Sequence, residues 1–215
     1  MSTSTRERLA VERPAMYHGW DDVAFLHWPL PAASVQCLLP SGVEVDTFDG
    51  AAWVSLVPFV MTVRLAGVPG TWTFPETNVR TYVKTPTGEP AIWFLSLDAS
   101  RLAPVLAGRS YGLPYMWARM TTSHIGSVHS YRSARRRPHA PGSVQVAVDV
   151  GERFEGDELD RFLVDRWALV TERAGRVGVT LAAHDPWNLH CARVLSLSHD
   201  IVPAAGMPAR VHHSP

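Results

Sequence analysis

The chain has 215 residues, of which 46% are hydrophobic and 19% are charged, as expected of a folded rather than a disordered protein. Its 20 basic residues balance its 20 acidic residues, so no overall field draws the protein to nucleic acid or to an anionic membrane surface. The charged first residues do not form a signal peptide, and no apolar run reaches the ~18 residues that span a bilayer.

The predicted elements begin after a polar leader over residues 1–20, with a strand in DVAFLHWPL. A short helix between prolines is predicted in PAASVQCLLP. Asp49-Gly50 is a strong two-residue turn signal and predicts a hairpin within VEVDTFDGAAWVSLVPFVMTVRL, whose second arm is apolar on both faces. ETNVRTYVK and PAIWFLSL predict a second hairpin around the turn TPTGE.

The middle of the chain alternates between helix and strand signals. Asp98 is predicted to cap a short helix over ASRLAPVLAGR, which Pro104 limits in length. PYMWARMTTSHIGSVHSYRS has strand character with an interruption at Gly126. The arginine run in ARRRPHAPGS is predicted to be a solvated loop, because one neighbouring aromatic and a neutral chain do not make a nucleic-acid footprint.

The last third predicts a strand in VQVAVDV, a helix begun by Asp157, and a hairpin in ALVTERAGRVGVTLAAH. Residues 201–215 show little periodicity and are predicted to be a loose tail. Strands dominate, long helices are few, and no linker divides the chain. We therefore predict one mainly β (α+β) domain over residues 21–200, a mostly antiparallel sheet that is curled or closed, with a few short helices against it.

Glu76, Asn78, Arg80 and Tyr82 share one face of their strand, because side chains alternate with a period of two. A carboxylate, an amide, a guanidinium and a phenol in one row could polarise a small oxygenated ligand, and burial would raise the pKa of Glu76. The opposite interpretation is that this row faces water and the Thr/Val row faces the core. The alternation alone does not decide between the two.

The segment GRSYGLPYMWARM, residues 108–120, predicts a pocket wall that includes Tyr115, Met116 and Trp117. Arg109 could bind a carboxylate, although a structural role that ties down a loop is favoured for it. Tyr115 could donate a hydrogen bond to a ligand, or it could be an aromatic filling the barrel. With Trp53 and Trp93, these aromatic side chains could also form an apolar cup without chemistry.

The ten histidines do not predict a metal site. His124 and His129 are five apart, His184 and His190 are six apart, and neither pair has the helical i,i+4 spacing of zinc sites. On strands such offsets predict opposite or distant positions. Phosphate-binding glycine motifs and the nucleophile elbow are missing, which argues against nucleotide-dependent enzymes and serine hydrolases, and we predict no cofactor. Cys37 and Cys191 lack metal or redox spacing, which predicts a reducing, cytoplasmic location.

Several segments in combination resemble the YqjF-like proteins, a conserved family of unknown function. They are FLHWPLPAASVQCLLPSGVEVDTFDGAAWVSLVPF, FPETNVRTYV, IWFLSLDASR, GLPYMWARM and, near the end, DRWALVTE with HDPWNLHCARV. The resemblance runs from about Val23 to Val194. It implies a fold similar to acetoacetate decarboxylase, in which a twisted antiparallel sheet closes into a cone-like barrel around a cavity.

In the decarboxylases, the segment similar to residues 108–117 ends in two lysines, one of which forms a Schiff base with a keto acid. Here Tyr115 and Met116 stand in their place, so the resemblance does not carry that activity over. Lys84 is the only lysine of the chain, and it ends a strand where lysines are normally solvated. Imine chemistry at Lys84 is therefore not expected.

Two functions of different class remain open. In the first, the barrel is an enzyme without Schiff-base chemistry, a lyase, isomerase or cyclase for a small carbonyl or carboxylate compound, with Glu76 as acid or base, Arg80 or Arg109 as anion holder and Tyr115 as hydrogen-bond donor. In the second, it is a small-molecule binding or sensing module. A purely structural role is a weaker third hypothesis. A homo-oligomer is compatible with all three.

Overall fold

Fourteen strands lie in one sheet of a computed structural model, which describes residues 16–67, 69–182 and 184–215. In chain order they are β1 (Met16–Asp21), β2 (Val23–Pro31), β3 (Glu44–Val45), β4 (Thr47–Phe48), β5 (Ala51–Leu65), β6 (Trp72–Lys84), β7 (Pro90–Ala99), β8 (Tyr115–Ile125), β9 (Val128–Arg135), β10 (Ser143–Arg153), β11 (Ala168–Arg173), β12 (Arg176–Leu181), β13 (His190–His199) and β14 (Arg210–Ser214).

Three short helices accompany the sheet in the described part of the chain, namely α1 (Ala32–Gln36), α2 (Leu102–Ser110) and α3 (Glu158–Val164). Asp157 caps α3 as predicted: its side chain accepts from the Asp160 backbone N–H, and the Asp160 side chain accepts from the Asp157 N–H. This reciprocal capping box satisfies two backbone donors at the start of the helix. None of the described helices is long and apolar enough to cross a membrane.

Nine strands close on themselves in the order β7-β8-β9-β10-β13-β14-β2-β5-β6, and β6 pairs back to β7. All neighbours in this ring are antiparallel except β7 and β8, which are parallel because α2 connects them. The predicted closed, mainly antiparallel barrel is confirmed. The predicted hairpin turn is also present, with Asp49 and Gly50 both at positive φ, as a type I′ turn requires.

The prediction of a loose tail over residues 201–215 is wrong. Residues 210–214 form β14, which pairs with β2 along Val23–His27 and with β13, and so completes the ring. The tail gave no hydrophobic signal because the strand is short and buries two histidines, His212 and His213, instead of aliphatic side chains. Closure of the barrel therefore depends on the last residues of the chain.

The predicted polar leader also ended too late. Residues 1–15 lie outside the described residues, but residues 16–21 form β1, which pairs with the far end of β5 from Val60 to Leu65. Most of β1 is exposed, so its composition resembles that of a leader. Asp98 does not cap α2 either: it lies in β7, while Arg101 occupies the N-cap position.

The inner face of the barrel holds one hydrophobic cluster, which includes Leu26, Leu56, Val79, Tyr131 and Val146. These residues come from β2, β5 and β6 and from β9 and β10, which lie elsewhere in the ring. Their side chains therefore meet across the interior of the barrel. Burying this apolar surface on strands from around the ring stabilises the closed shape.

The outer face of β2, β5, β6 and β7 carries a second cluster, which includes Phe25, Val57 and Tyr82. Val105 of α2 and Leu163 of α3 pack against it. Strands β5 and β6 are therefore covered on both sides, which explains the predicted apolar character of both faces of β5. The space between this outer face and α2 is where the candidate site lies.

Candidate active site beneath helix α2

Glu76 is a carboxyl group buried in the middle of the sheet. It lies on β6 opposite Phe59 of β5 and Ala99 of β7, and only 1% of its surface is exposed. The strand alternation places it on the outer face, towards α2, together with Asn78, Arg80 and Tyr82. The whole polar row is buried, and so is the Thr/Val row, because both faces of β6 are covered.

Tyr115 reaches the same place from β8. Its backbone lies beside Leu97 of β7 in the parallel pair, and its hydroxyl group donates to Glu76, 3.3 Å from each carboxyl oxygen. Gly112, at a φ of 82°, turns the chain between α2 and β8, and no other residue type adopts that conformation as easily. The turn thus brings together two polar groups that are 39 residues apart.

Burial raises the pKa of Glu76 from 4.5 to about 8, and the negative charge of Asp98 adds to the increase. Hydrogen bonds from Tyr115 and Asn78 act in the opposite direction but do not offset the loss of water. Burial and the nearby Glu76 carboxyl group hold the pKa of Tyr115 well above 10. At neutral pH the pair is therefore mostly a neutral carboxylic acid beside a neutral phenol, and the minor ionised form of Glu76 is the one that accepts a proton.

Glu76 and Tyr115 line a cavity of about 600 Å³ between the sheet and α2. This volume is in the range of small-molecule sites. Its walls are mainly apolar and include Met61, Val63, Trp72, Phe74 and Leu113. The polar lining residues are His18, Glu76, Arg101, Tyr111 and Tyr115. A few polar groups in an apolar wall are typical of sites that orient a ligand by one functional group.

Arg80 and Tyr82, although on the same face as Glu76, do not line this cavity. The Arg80 guanidinium donates to the Leu163 carbonyl oxygen of α3 at 2.9 Å. The hydroxyl groups of Tyr82 and Ser55 lie 2.6 Å apart, and Ser55 hydrogen-bonds to His27 at 2.6 Å. The predicted row is therefore divided. Glu76 lines the cavity, and Asn78 hydrogen-bonds to Glu76 but is not a lining residue. Arg80 and Tyr82 hold α3 and the sheet together.

The other predicted residues lie outside the cavity lining as well. The Arg109 guanidinium donates to the Tyr115 carbonyl oxygen and contacts His139, which is the structural role favoured from the sequence. Met116 lies beside Asp98 on the opposite face of the sheet from Tyr115. The Trp117 indole donates to the Ser100 carbonyl oxygen. Trp53 and Trp93 pack into two different clusters, so the aromatic residues do not form one cup.

Among the polar residues of the cavity, sequence reasoning missed His18 and Arg101, and it included Tyr111 only as part of the segment 108–120. His18 lies in β1, within the predicted polar leader, and partial desolvation of its imidazole lowers the pKa of that group. Arg101 is the N-cap residue of α2 and is exposed at the cavity mouth. No motif marked either one. Lys84 lies elsewhere, with 43% of its side chain exposed and its Nζ 4.0 Å from Glu44.

The expectation that His124 and His129 lie far apart is wrong. They face each other across the β8–β9 hairpin, and their ring centroids are 5.3 Å apart. A separation of five residues makes a direct cross-strand pair when the turn is two residues long. This pair lies on the inner face of the barrel, away from the cavity.

Comparison with known proteins identifies the family. The sequence profile of DUF2071, described as an uncharacterized conserved protein, matches residues 17–215. The chain belongs to this family. The uncharacterized protein YqjF of Bacillus subtilis is 35% identical over 199 residues, which cover 89% of this chain and 82% of the relative. The resemblance inferred from the sequence segments is confirmed.

Solved structures of the acetoacetate decarboxylase-like fold are similar to this DUF2071 protein. The enduracididine biosynthesis enzyme MppR, complexed with the condensation product of pyruvate and imidazole 4-carboxaldehyde, has a TM-score of 0.63 at 15% identity over 94% of this chain and 85% of that one. An acetoacetate decarboxylase-like enzyme from Sphingomonas wittichii RW1 has a TM-score of 0.64 at 13% identity over 94% and 89%. These likenesses show the fold.

Proposed function

We propose that this barrel is an enzyme that binds a small carbonyl compound beneath α2 and that Glu76 moves a proton on it. The observation that carries the proposal is the Tyr115–Glu76 contact at the cavity wall, together with a pKa of about 8 for Glu76. A general acid or base works best when its pKa is close to the operating pH. An ordinary surface glutamate, with a pKa near 4.5, would be a much weaker base.

The chemistry uses both forms of Glu76, because a carboxyl group with a pKa of about 8 is partly ionised near neutral pH. The ionised form of Glu76 removes a proton from the carbon next to the ligand's carbonyl group, and the C–H electron pair becomes the double bond of an enolate. The Tyr115 hydroxyl group donates a hydrogen bond to the enolate oxygen and stabilises its charge. Return of the proton to the same carbon gives exchange only. Glu76 gives the proton to another atom of the enolate in an isomerase, to a departing substituent β to the carbonyl in a lyase, or to the alkoxide formed when the enolate carbon attacks a second carbonyl of the ligand in a cyclase.

The cavity has no lysine that could form an imine with the ligand. Lys84, the one lysine in the sequence, ends β6 beside Glu44 and is not a lining residue. A tyrosine side chain does not form an imine, so the carbonyl group of the ligand stays intact and is polarised by hydrogen bonds. The complex of MppR with pyruvate supports the class of ligand, a small carbonyl compound, in a protein of similar fold.

The lining also indicates what the rest of the ligand is like. Apolar walls from β5, β6 and α2 favour a hydrocarbon or aromatic body, while Arg101 at the mouth favours a carboxylate at the opposite end from the carbonyl. Arg101→Gln should therefore weaken binding of a keto acid more than binding of the corresponding neutral ketone. Arg101 thus takes the anion-holding role that the sequence suggested for Arg80 or Arg109.

Exchange of ligand protons for deuterium tests the proposal directly. Keto acids and ketones are first screened by thermal shift, because a ligand of the folded state raises the melting temperature. Each ligand found is then incubated with protein in D2O, and loss of its α-proton signal is followed by NMR. We expect exchange with the wild type, about 100-fold slower exchange with Glu76→Gln, and unchanged exchange with the exposed control Glu89→Gln.

A non-catalytic binding module of the same fold is the alternative, and the apolar lining of the cavity favours it. In that case a ligand would raise the melting temperature without exchanging its protons. The shift would also survive in Glu76→Gln and Tyr115→Phe, since a binder needs only the shape of the cavity.

A further inference from the structure

Three metal-ligating side chains meet at one end of the barrel interior, on the opposite side of the sheet from the cavity. They are Asp22, His129 and His213, each of which offers one ligand atom within 4.8 Å of the others. Asp22 lies in the turn between β1 and β2, His129 on β9 and His213 on β14. In the ring, β9 and β2 are separated by three strands on one side and by four on the other, so these residues meet because the barrel is closed.

His213 is 99% buried, and its hydrogen bonds leave one ring nitrogen free. The Tyr131 hydroxyl group donates its single proton to the Asp22 carbonyl oxygen at 2.7 Å. It can therefore only accept at its second contact, 3.3 Å from His213 Nε2, so Nε2 carries the proton. His213 Nδ1 then has a lone pair, and it is buried without a hydrogen-bond partner among the described residues.

This arrangement resembles the surroundings of metal-bound histidines. Such a histidine binds the ion through one ring nitrogen and donates the N–H of the other to a neighbouring oxygen, which fixes its tautomer. Tyr131 supplies that oxygen here. A structural network alone leaves the Nδ1 lone pair unexplained, because a buried acceptor without a partner destabilises the fold.

The distances suit a small divalent ion. Ligand atoms ~2.0–2.1 Å from a tetrahedral zinc ion are about 3.4 Å from one another. Asp22 Oδ1 and His129 Nδ1 are 3.5 Å apart, and the ring centroids of His129 and His213 are 4.3 Å apart. Asp22 holds a left-handed backbone conformation, with φ at 52°, which an aspartate tolerates and which turns its carboxylate towards the histidines.

We propose that Asp22, His129 and His213 bind a zinc-class divalent transition-metal ion. Two imidazole nitrogens and one carboxylate oxygen form the donor set of three-ligand zinc sites, which keep a coordination position open. His124 faces His129 across the hairpin but is not one of the three clustered residues. The inference is independent of the reaction at Glu76, since the two groups lie on opposite faces of the sheet.

Titration with cobalt(II) tests the site. The full chain is first purified in the presence of a chelator, and the chelator is then removed. Cobalt substitutes for zinc and acquires a strong visible absorption in a four-coordinate site. The test variants are Asp22→Asn, which keeps the shape and the left-handed conformation, and His129→Gln. His139→Gln, a histidine in the β9–β10 loop, is the matched control. His213 is left intact because replacing a buried side chain could unfold the protein.

We expect one equivalent of cobalt to bind the wild type and the control equally, with zinc displacing it. Asp22→Asn and His129→Gln should each bind at least about 10-fold more weakly, and zinc should raise the melting temperature of the wild type more than theirs. Failure of the wild type to bind one equivalent would overturn the proposal. So would equal affinity in the two variants and the wild type.

Discussion

Gly108 lies directly against the ring of Tyr115. A Cβ atom at position 108 would overlap the Cδ2 and Cε2 atoms of that ring, although Gly108 itself is helical and has an ordinary negative φ. The requirement is therefore for space and not for backbone freedom. α2 approaches β8 closely enough to hold the Tyr115 hydroxyl group against Glu76 because residue 108 has no side chain.

Gly108→Ala should therefore displace Tyr115 and damage the site. The gain in helix propensity, about 0.5–1 kcal/mol, is outweighed by overpacking, which costs about 1–3 kcal/mol. We expect a lower melting temperature and loss of ligand-induced stabilisation. Gly151→Ala is the control, because its Cβ would be 3.6 Å from the nearest atom, an ordinary contact. Equal behaviour of the two variants would show that Tyr115 is not held in this way.

Glu76→Gln should change how stability depends on pH. Folding raises the pKa of Glu76 from 4.5 to about 8, so the folded state binds the extra proton between these values. The wild type should then lose stability as the pH rises from about 4.5 to 8, by roughly 1.4 kcal/mol for each pH unit at most, and level off above that range. Glutamine carries no such proton. The free energy of unfolding of the variant should therefore be similar to that of the wild type at pH 5 and larger than that of the wild type at pH 9. Urea unfolding of both proteins at pH 5 and pH 9 measures these free energies. An equal change in stability between the two pH values in both proteins would contradict the prediction.

Tyr115→Phe should move the same transition to higher pH. The Tyr115 hydrogen bond lowers the pKa of Glu76, so its removal raises that pKa further. The loss of stability should then continue above pH 8 before it levels off, and the variant should lose about 1 kcal/mol at pH 6 for the missing hydrogen bond. Free energies of unfolding between pH 5 and 10 provide the comparison. If the stability of the variant levels off at the same pH as that of the wild type, or at a lower pH, the 3.3 Å contact does not stabilise the ionised carboxylate.

Inside the barrel, Arg135 and Asp98 form a buried ion pair. Arg135 Nε lies 2.9 Å and 3.1 Å from the two Asp98 oxygens, and its Nη2 donates to Ser96 at 2.8 Å. Arg135→Met should cost about 3–5 kcal/mol, because it leaves the Asp98 charge buried without a partner. Adding Asp98→Asn should recover part of that loss in urea unfolding. Additive losses in the double variant would mean that the two side chains are not coupled.

The sequence predicted the local structure well, because strands, tight turns and helix starts are determined largely by residues that are close together in the chain. The period of two indicated the strands, Asp49-Gly50 indicated its turn, and Asp157 indicated the start of α3. Long-range partners were not visible. Asp98 matched a helix cap by type, yet its partner Arg135 lies 37 residues away. β14 was missed because the surrounding barrel, and not its own composition, makes it a strand.

The candidate site was only partly accessible from the sequence. Glu76 and Tyr115 were named together, and the structure places them in contact, while their catalytic roles stay a prediction. The alternation of side chains along β8 could have separated Met116 from Tyr115, since neighbours in a strand point to opposite faces. Arg101 gave no signal, because a residue at a cavity mouth is recognised only once the helix beside it has been placed.

Direct titration of the Glu76 carboxyl carbon by 13C NMR would establish whether a neutral carboxylic acid lies beneath α2. Protein labelled at glutamate side chains is titrated from pH 4 to 10, and the Glu76→Gln spectrum assigns the resonance. A buried Glu76 should give one carboxyl carbon that titrates at about pH 8, far above the others. A Glu76 carbon that titrates near pH 4.5 would contradict it, since Glu76 would then be an ordinary solvated carboxylate with no neutral acid beneath α2.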